Sequence, residues 1–456
     1  MKLSVVILAA GKGRRMLSDI PKPLHKLAGL SLLERVVNTA KAVQPERIYV
    51  VYGHSGNIVK DTLQGIDVTW VEQKERLGTG HAVLQAVPEI PEDHKVLILY
   101  GDVPLISENT LRDLLDTSKE GMGVITSEFE DPNELGRIVR DHSGNFKAIV
   151  EFKDADEKTK KIREVNSGIY VVPAKYLKKW LPTLSNNNTQ KEYYLTDILG
   201  MAVEHGIAVS TVLPGNNEEI LGVNDRLQLV ELERYIQFEQ AKQLLAQGVT
   251  IMDPYRIDIR GELNSEKDVT IDVNTIFEGS VTLGSGTVIH SNVTIKNSVI
   301  GRNVSILPNC FVENAVIEDG AVVGPFARLR PDSHIKASAK VGNFVEIKKS
   351  VVGEGSKVGH LTYIGDAVIG KDVNVGAGTI TCNYDGVRKH HTQIDDGAFI
   401  GSGTQLVAPV SVGKGAYIGA GSTITSDAKP KKLTLSRADQ RCIESWKPPV
   451  KVEEEE

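Results

Sequence analysis

Through the second half of the chain an aliphatic or aromatic residue returns at every sixth position. The beat runs through Ile271, Phe277, Leu283, Ile289 and Ile295, then Val323, Leu329, Ile335, Val341 and Ile347, and finally Ile394, Ile400, Leu406, Val412, Ile418 and Ile424. Gly often follows the apolar residue, as at Val341-Gly342, Val358-Gly359 and Ile364-Gly365. Some steps shorten to five residues, such as Ile295 to Ile300 and Ile347 to Val352. One inward apolar side chain per short period, with a small residue at the turn, predicts a parallel β-helix. No hexapeptide buries its apolar residue alone; stacking does so, at about 4.8 Å per coil. A sandwich of short strands would instead alternate with period two in segments of variable length. The beat fails between Val375 and Ile394, where Thr379 to His391 does not fit. A loop thrust out of a regular prism gives up coil pairing, which marks it as functional.

The first half has a different pattern. Val5 to Ala10 is a continuous apolar run, as expected of a parallel strand buried on both faces. Further runs at Arg47–Tyr52 and 96–100 alternate with helical stretches in the α/β manner. Between the halves, Asp225 to Gln247 carries an apolar stripe (Leu229, Leu232, Ile236, Leu244, Leu245) among many charges, and Gly248 stands where a helix cap belongs. The expected organisation is an α/β domain over 1–224, a helical linker over 225–248 and a β-helix domain with a tail over 249–456. Everything after Trp446, Lys- and Pro-rich and ending in four glutamates, is expected to be disordered.

Composition narrows the function classes. A net charge of −6 and a pI near 6.1 argue against nucleic acid as a bulk partner, and no apolar run has the length of a membrane span. The apolar start is short and is followed by Lys12, Arg14 and Arg15, so it reads as a first strand rather than a signal peptide. Three scattered cysteines, Cys310, Cys382 and Cys442, make neither a disulfide frame nor a zinc knuckle. A cytoplasmic location is expected.

Candidate chemistry gathers at strand ends and on the prism. Gly11 and Gly13 directly after a buried strand let backbone N–H groups face an anion, with Arg15 and Lys22 as countercharge. The spacing is neither that of a Walker loop nor that of a dinucleotide fingerprint. Asp102 follows the strand ending at Tyr100-Gly101, at the edge where α/β sheets bind ligands. Gln73 with the Gly78-Thr79-Gly80 turn suits a base edge. On the prism, Arg330 and Lys348 are eighteen apart, one three-sided coil, and so stack as a phosphate clamp. His360 stands among Glu346, Tyr363 and Asn374. A zinc site at His360, His390 and His391 is the rival reading, although adjacent histidines on a loop space ligands poorly.

Leu8-Ala-Ala-Gly-Lys-Gly-Arg-Arg-Met16 with Pro21-Lys22 resembles the signature loop of sugar-1-phosphate nucleotidylyltransferases, and Leu77–Ala82, Tyr100–Pro104 and Glu192–Asp197 resemble further motifs of that group. With the hexapeptide array behind them, the whole chain resembles the bacterial bifunctional N-acetylglucosamine-1-phosphate uridylyltransferases/glucosamine-1-phosphate acetyltransferases. Arg14 departs from that family's usual Thr. The resemblance implies a Rossmann-like mixed sheet followed by a left-handed β-helix, assembled as a homotrimer. It implies Mg²⁺ held by Asp102 and Asn224, with Arg15 and Lys22 acting on the triphosphate of UTP. Around that substrate it places Leu8, Ala9, Ala10, Gly11, Thr79, Tyr100 and Gly101, with Gln73 and Gly78 on uracil and Gly136, Glu151 and Asn166 on the amino sugar. In the prism it implies His360 as general base, with Glu346 orienting its ring. Arg330, Lys348 and Tyr363 would bind the phosphate of glucosamine-1-phosphate, and Asn374, Asn383 and Tyr384 its amine and sugar. Ala377, Ser402, Ala420 and Arg437 would contact acetyl-CoA. The Asn383-Tyr384 loop and Arg437, beyond the last coil, are placed to reach a neighbouring subunit.

Overall fold

The computed structural model describes residues 2–53, 56–132 and 134–449. By internal contact it divides into Met1–Ile236 and Gln237–Glu456.

The first unit is built on strands β1 (Leu3–Ala9), β2 (Arg47–Tyr52), β3 (Thr69–Glu72), β4 (Lys95–Tyr100), β5 (Met122–Glu128), β6 (Arg137–Arg140), β7 (Phe146–Val150), β8 (Glu164–Pro173) and β9 (Val209–Val212). Seven of them run β9-β5-β8-β4-β1-β2-β3 across one sheet, and β6 joins β8 while pairing with β7 as a hairpin. The centre is parallel, β1 lying between β2 and β4. Strand β8 is antiparallel to both β4 and β5, which makes the sheet mixed, as expected. Val5, Val6 and Ile7 are fully buried because successive side chains of β1 enter the cores on opposite faces of the sheet.

The second unit is the predicted prism. Ile271, Ile289, Ile306, Val323, Val341, Val358, Val375, Ile400 and Ile418 stack in parallel register up one face. Phe277, Ile295, Val312, Leu329 and Ile347 climb a second face. Leu283, Ile300, Ile317, Ile335, Val352, Ile369, Ile394 and Val412 climb a third. Successive members of the six-residue beat therefore belong to successive faces, and all lie in one continuous core. Five-residue steps give seventeen-residue coils, as in the pairing of Leu283 with Ile300. The misfit segment spaces Ile369 from Ile394, and within it Tyr384 bridges Lys389 as a small antiparallel turn.

The helix Arg226–Ala246 is shared by the two units. Its Leu232 packs with Met16, Leu27, Leu32 and Val223 of the first unit, while Ala241 and Leu244 belong to the prism core. The predicted stripe is corrected at Leu245, which is exposed; Val249 is buried instead, after the chain turns at Gly248 (φ +90°) and the Val249 N–H returns to the Leu244 carbonyl. After Leu433–Thr434 the described chain has no helix or strand and residues 447–449 are exposed. The expectation of disorder for 450–456 lies outside the described residues. Among the described residues no helix is long and apolar enough to cross a membrane.

Candidate functional site

In the first unit the pairing of Leu8 with Tyr100 sets the carboxyl ends of β1 and β4 side by side, and the Gly101 N–H donates to the Leu8 carbonyl (2.9 Å). Leu8, Ala9, Ala10 and Gly11 thereby adjoin Tyr100, Gly101 and Asp102. The Asp102 carbonyl accepts from the Val223 N–H at 2.9 Å, which brings Asn224 alongside. Lys22 Nζ contacts Asp102 Oδ2 and donates to Asn224 Oδ1 at 2.9 Å. A cleft of about 710 Å³ opens over this cluster, lined also by Arg14, Arg15, Gln73, Gly78 and Thr79. Gly13 lies at φ +57°, and a Cβ there would stand 2.8 Å from the Lys22 Cβ, so the glycine turn packs on the lysine stem. Gln73 is buried, its Nε2 donating to the Gly78 carbonyl at 3.2 Å. Burial pushes the Tyr100 hydroxyl far above its ordinary range, with the Glu151 and Asp102 carboxylates adding to the shift.

The residues expected at the amino sugar also meet. The Asn166 N–H donates to the Gly136 carbonyl at 2.9 Å, and Glu151 Oε2 lies 3.5 Å from where a Cβ on Gly136 would stand. Burial raises the Glu151 carboxyl above its usual range, and Asp197, Asp154 and Glu192 reinforce this while the Thr196 hydroxyl opposes it. Asp154, and Arg76 in the main cleft, are not picked out by the sequence reading, whereas Glu192 and Asp197 are the two ends of a motif that it quotes.

Asp102 and Asn224 fit a divalent cation. Their oxygens are hard donors, one anionic and one neutral, and both already converge on a single cationic atom, Lys22 Nζ.

On the prism, Asn343 pairs with His360 in adjacent strands, and Glu346 pairs with Tyr363 one step further on. The expected Glu346–His360 contact is corrected: Glu346 Oε1 accepts from Arg330 at 2.8 Å, and His360 Nδ1 contacts Asn343 Oδ1. A seventeen-residue coil sets residue 343, not 346, over 360. Arg330 lies one coil above Lys348, its N–H donating to the Ile347 carbonyl (2.8 Å). The Lys348 ammonium is pushed down first by Lys389, from the inserted loop, then by burial and Arg330. Lys389 is therefore a third cation at this place. Asn383 is nearly buried, donating to Asp366 Oδ2 at 2.6 Å, and a Cβ on Gly365 would meet both the Tyr363 hydroxyl (2.4 Å) and the Asn383 amide nitrogen (2.7 Å). Tyr384 is exposed and Asn374 partly so.

One corner of the prism collects the rest. The Gly378 N–H donates to the His360 carbonyl, Gly403 to Ala377 (2.7 Å) and Gly421 to Ser402 (2.8 Å). Arg437 Nη1 donates to the Ala420 carbonyl at 2.8 Å and so folds back on its own chain. His360, Ala377, Ser402 and Ala420 thus descend a single edge. His390 is held by Asp385 at 2.7 Å, and among the described residues no three His, Cys, Asp or Glu side chains gather for a metal ion. The three cysteines are free, Cys310 being buried with its thiol pushed up to about 11.

A family model for the MobA-like NTP transferase domain matches residues 5–190, and the six-repeat bacterial transferase hexapeptide model matches residues 391–426. Relatives described as bifunctional protein GlmU match almost end to end. That of Coxiella burnetii (strain RSA 493) is 56% identical over 99% of this chain and 100% of its own length. Those of Methylococcus capsulatus (53%, 100% and 99%) and Marinobacter nauticus (52%, 98% and 99%) are similar to this chain to nearly the same degree. With a nucleotidyltransferase cleft in one unit, a hexapeptide prism in the other and identity above half along the full length, the chain belongs to the bifunctional GlmU family of transferases.

Proposed function

We propose that the prism acetylates glucosamine-1-phosphate with acetyl-CoA, and that the first cleft then joins the product to UMP from UTP, giving UDP-N-acetylglucosamine and pyrophosphate. The observation that supports this division is that chemistry-bearing residues gather separately in the two units: Lys22, Asp102 and Asn224 in one, and Arg330, Lys348 and His360 on neighbouring coils of the other.

In the cleft, Arg15 and Lys22 neutralise the triphosphate, and Gly11, where a Cβ would meet no atom of the chain, leaves its backbone open to phosphate. Gln73 spends its amide nitrogen on Gly78, leaving its oxygen to accept from the N3–H of uracil. Gly136, Glu151 and Asn166 hold the N-acetyl sugar. Asp102 and Asn224 would hold Mg²⁺, which supplies charge neutralisation on the phosphates. With the chain's residues fixing both substrates in line, a sugar phosphate oxygen attacks the α-phosphorus and pyrophosphate leaves, without a covalent enzyme intermediate.

In the prism, Arg330, Lys348 and Tyr363 bind the sugar phosphate, while Asn374, Asn383 and Tyr384 line the sugar and its amine. Glu346 fixes the Arg330 guanidinium rather than the imidazole. His360 takes a proton from the amine as its nitrogen attacks the thioester carbon, and the coenzyme thiolate leaves. Ala377, Ser402, Ala420 and Arg437 line the coenzyme's edge. The same proposal places the protein in the cytoplasm as a homotrimer, in keeping with three free cysteines and soluble substrates.

Incubation with glucosamine-1-phosphate, acetyl-CoA, UTP and Mg²⁺ should yield UDP-N-acetylglucosamine by mass. Omitting acetyl-CoA should abolish that product, and adding N-acetylglucosamine-1-phosphate should restore it. Sugar nucleotide formed from glucosamine-1-phosphate without acetyl-CoA would overturn the order of steps.

A further inference from the structure

Glu346 is the carboxylate expected behind His360, yet it is engaged with Arg330 and leaves the imidazole to another group. That group is Asn343. Strands Lys340–Asn343 and Lys357–His360 pair in parallel, with Asn343 directly beside His360, and the backbone locks the pair further: the Leu361 N–H donates to the Asn343 carbonyl at 3.1 Å. The Asn343 Oδ1 meets His360 Nδ1. Both side chains stand on rungs of a ladder whose inward residues, Val341 and Val358, are buried in the core, so neither backbone shifts freely.

We propose that Asn343 is the positioning residue of the acetyl-transfer base: its amide oxygen accepts the Nδ1–H of His360 and fixes the tautomer whose Nε2 lone pair faces the substrate amine. The inference rests on His360 being the base. A neutral imidazole has one N–H, and an acceptor at Nδ1 draws the proton there, leaving Nε2 free to take a proton. An amide does this without adding charge. A carboxylate in the same place would also stabilise the imidazolium and keep the base protonated to higher pH. The chain therefore holds orientation and basicity apart: Asn343 sets the ring's tautomer, and no anion of its own strand ladder is spent on the ring. Two charged groups of the neighbouring strand are otherwise engaged, Glu346 with Arg330 and the Lys348 ammonium beside Lys389.

Three variants of the full chain separate the possibilities, with acetyl transfer measured from pH 5.5 to 9 and uridylyl transfer as an internal control. Asn343→Ala should lower acetyl-transfer kcat by about 10-fold to 100-fold, part of the worth of a general base, with KM for both substrates nearly unchanged. Asn343→Asp keeps the acceptor and should retain most of the rate at its optimum. Its acidic limb in kcat/KM should move to higher pH, which a merely structural defect would not produce. His360→Ala tests the underlying reading. If that variant acetylates at the wild-type rate, His360 is not the base and the reading falls. If it is impaired while Asn343→Ala is not, or while the Asn343→Asp profile stays in place, only the role of Asn343 is overturned. The ¹⁵N spectrum of histidine-labelled wild-type protein, assigned by difference from His360→Ala, gives a readout independent of the Asn343 variants. An Nδ1–H signal for His360 is expected, and an Nε2–H signal overturns the proposal.

Discussion

Lys22 shows how one residue ties the first cleft together, since its ammonium reaches a carboxylate after β4 and an amide some two hundred residues later in the chain. Removing the carboxylate should take away both the lysine's partner and the anionic oxygen of the proposed metal pair. Asp102→Ala is expected to abolish uridylyl transfer and leave acetyl transfer intact, because the proposed phosphate–metal chemistry belongs to the first unit alone. Loss of both activities in a folded variant would refute separate sites. Glu151 offers a test with a sign. Burial raises its carboxyl above the ordinary 4.5, so the folded state favours the protonated form. That contribution is present below the unfolded value and is lost as pH rises through the folded one. Glu151→Gln should therefore melt with the wild type near pH 4 and above it near pH 7.5, while raising KM for N-acetylglucosamine-1-phosphate. Parallel melting at both pH values would contradict the assigned shift.

At the scale of elements, the six-residue beat was readable because each coil gives its faces one inward residue apiece, and a period that short admits few other folds. Its exceptions follow polar pairing. Thr381 occupies an inward position where an aliphatic residue was due, and its hydroxyl accepts from the Gly365 N–H at 2.8 Å. The Asn343–His360 pair was within reach of the sequence: the five-residue step from Ile347 to Val352 makes that coil seventeen residues, which sets 343 against 360 and 346 against 363. In the first unit, glycine loops and strand ends announced the cleft, and Glu192 and Asp197 lay in a recognised motif, but only the fold brings that segment against Glu151 and Asp154. Close coil stacking has its own test. A Cβ on Gly342 would lie 1.8 Å from the Gly359 carbonyl oxygen, backbone that cannot yield without breaking the ladder. Gly342→Ala should destabilise the prism by about 3 kcal/mol or more, the upper end for a single substitution. It should also take acetyl transfer with it, since Asn343 is the next residue. An unchanged melting profile would show that the coils have slack.

For the whole molecule, the corner beside His360 bears on assembly. Its left-handed turn is made by Asn274, Asn292 and Asn309 in earlier coils and by Gly378, Gly403 and Gly421 in later ones. Between them stand Phe326, Phe344 and Leu361, with φ of 55°, 55° and 49°. Asn and Gly tolerate that conformation, whereas for bulky side chains it costs about 1–2 kcal/mol each. The three are also exposed, at 50%, 55% and 63%, with Phe326 and Phe344 stacked at 5.2 Å between centroids. Strain and exposed apolar surface both count against such residues in a lone chain, and burial against a second copy reverses the second term. This edge is therefore where subunits of the proposed trimer should meet, next to the proposed base and coenzyme corner. Phe344→Asn with Leu361→Asn should relieve the backbone while removing the contact. The variant is expected to sediment as monomer rather than trimer, to lose most acetyl transfer and to keep uridylyl transfer. Its prism should melt no lower than that of dissociated wild-type chains, because the strain has gone. A variant that remains trimeric would move the interface to another face. One that dissociates yet acetylates at the wild-type rate would show that each prism holds a whole site by itself.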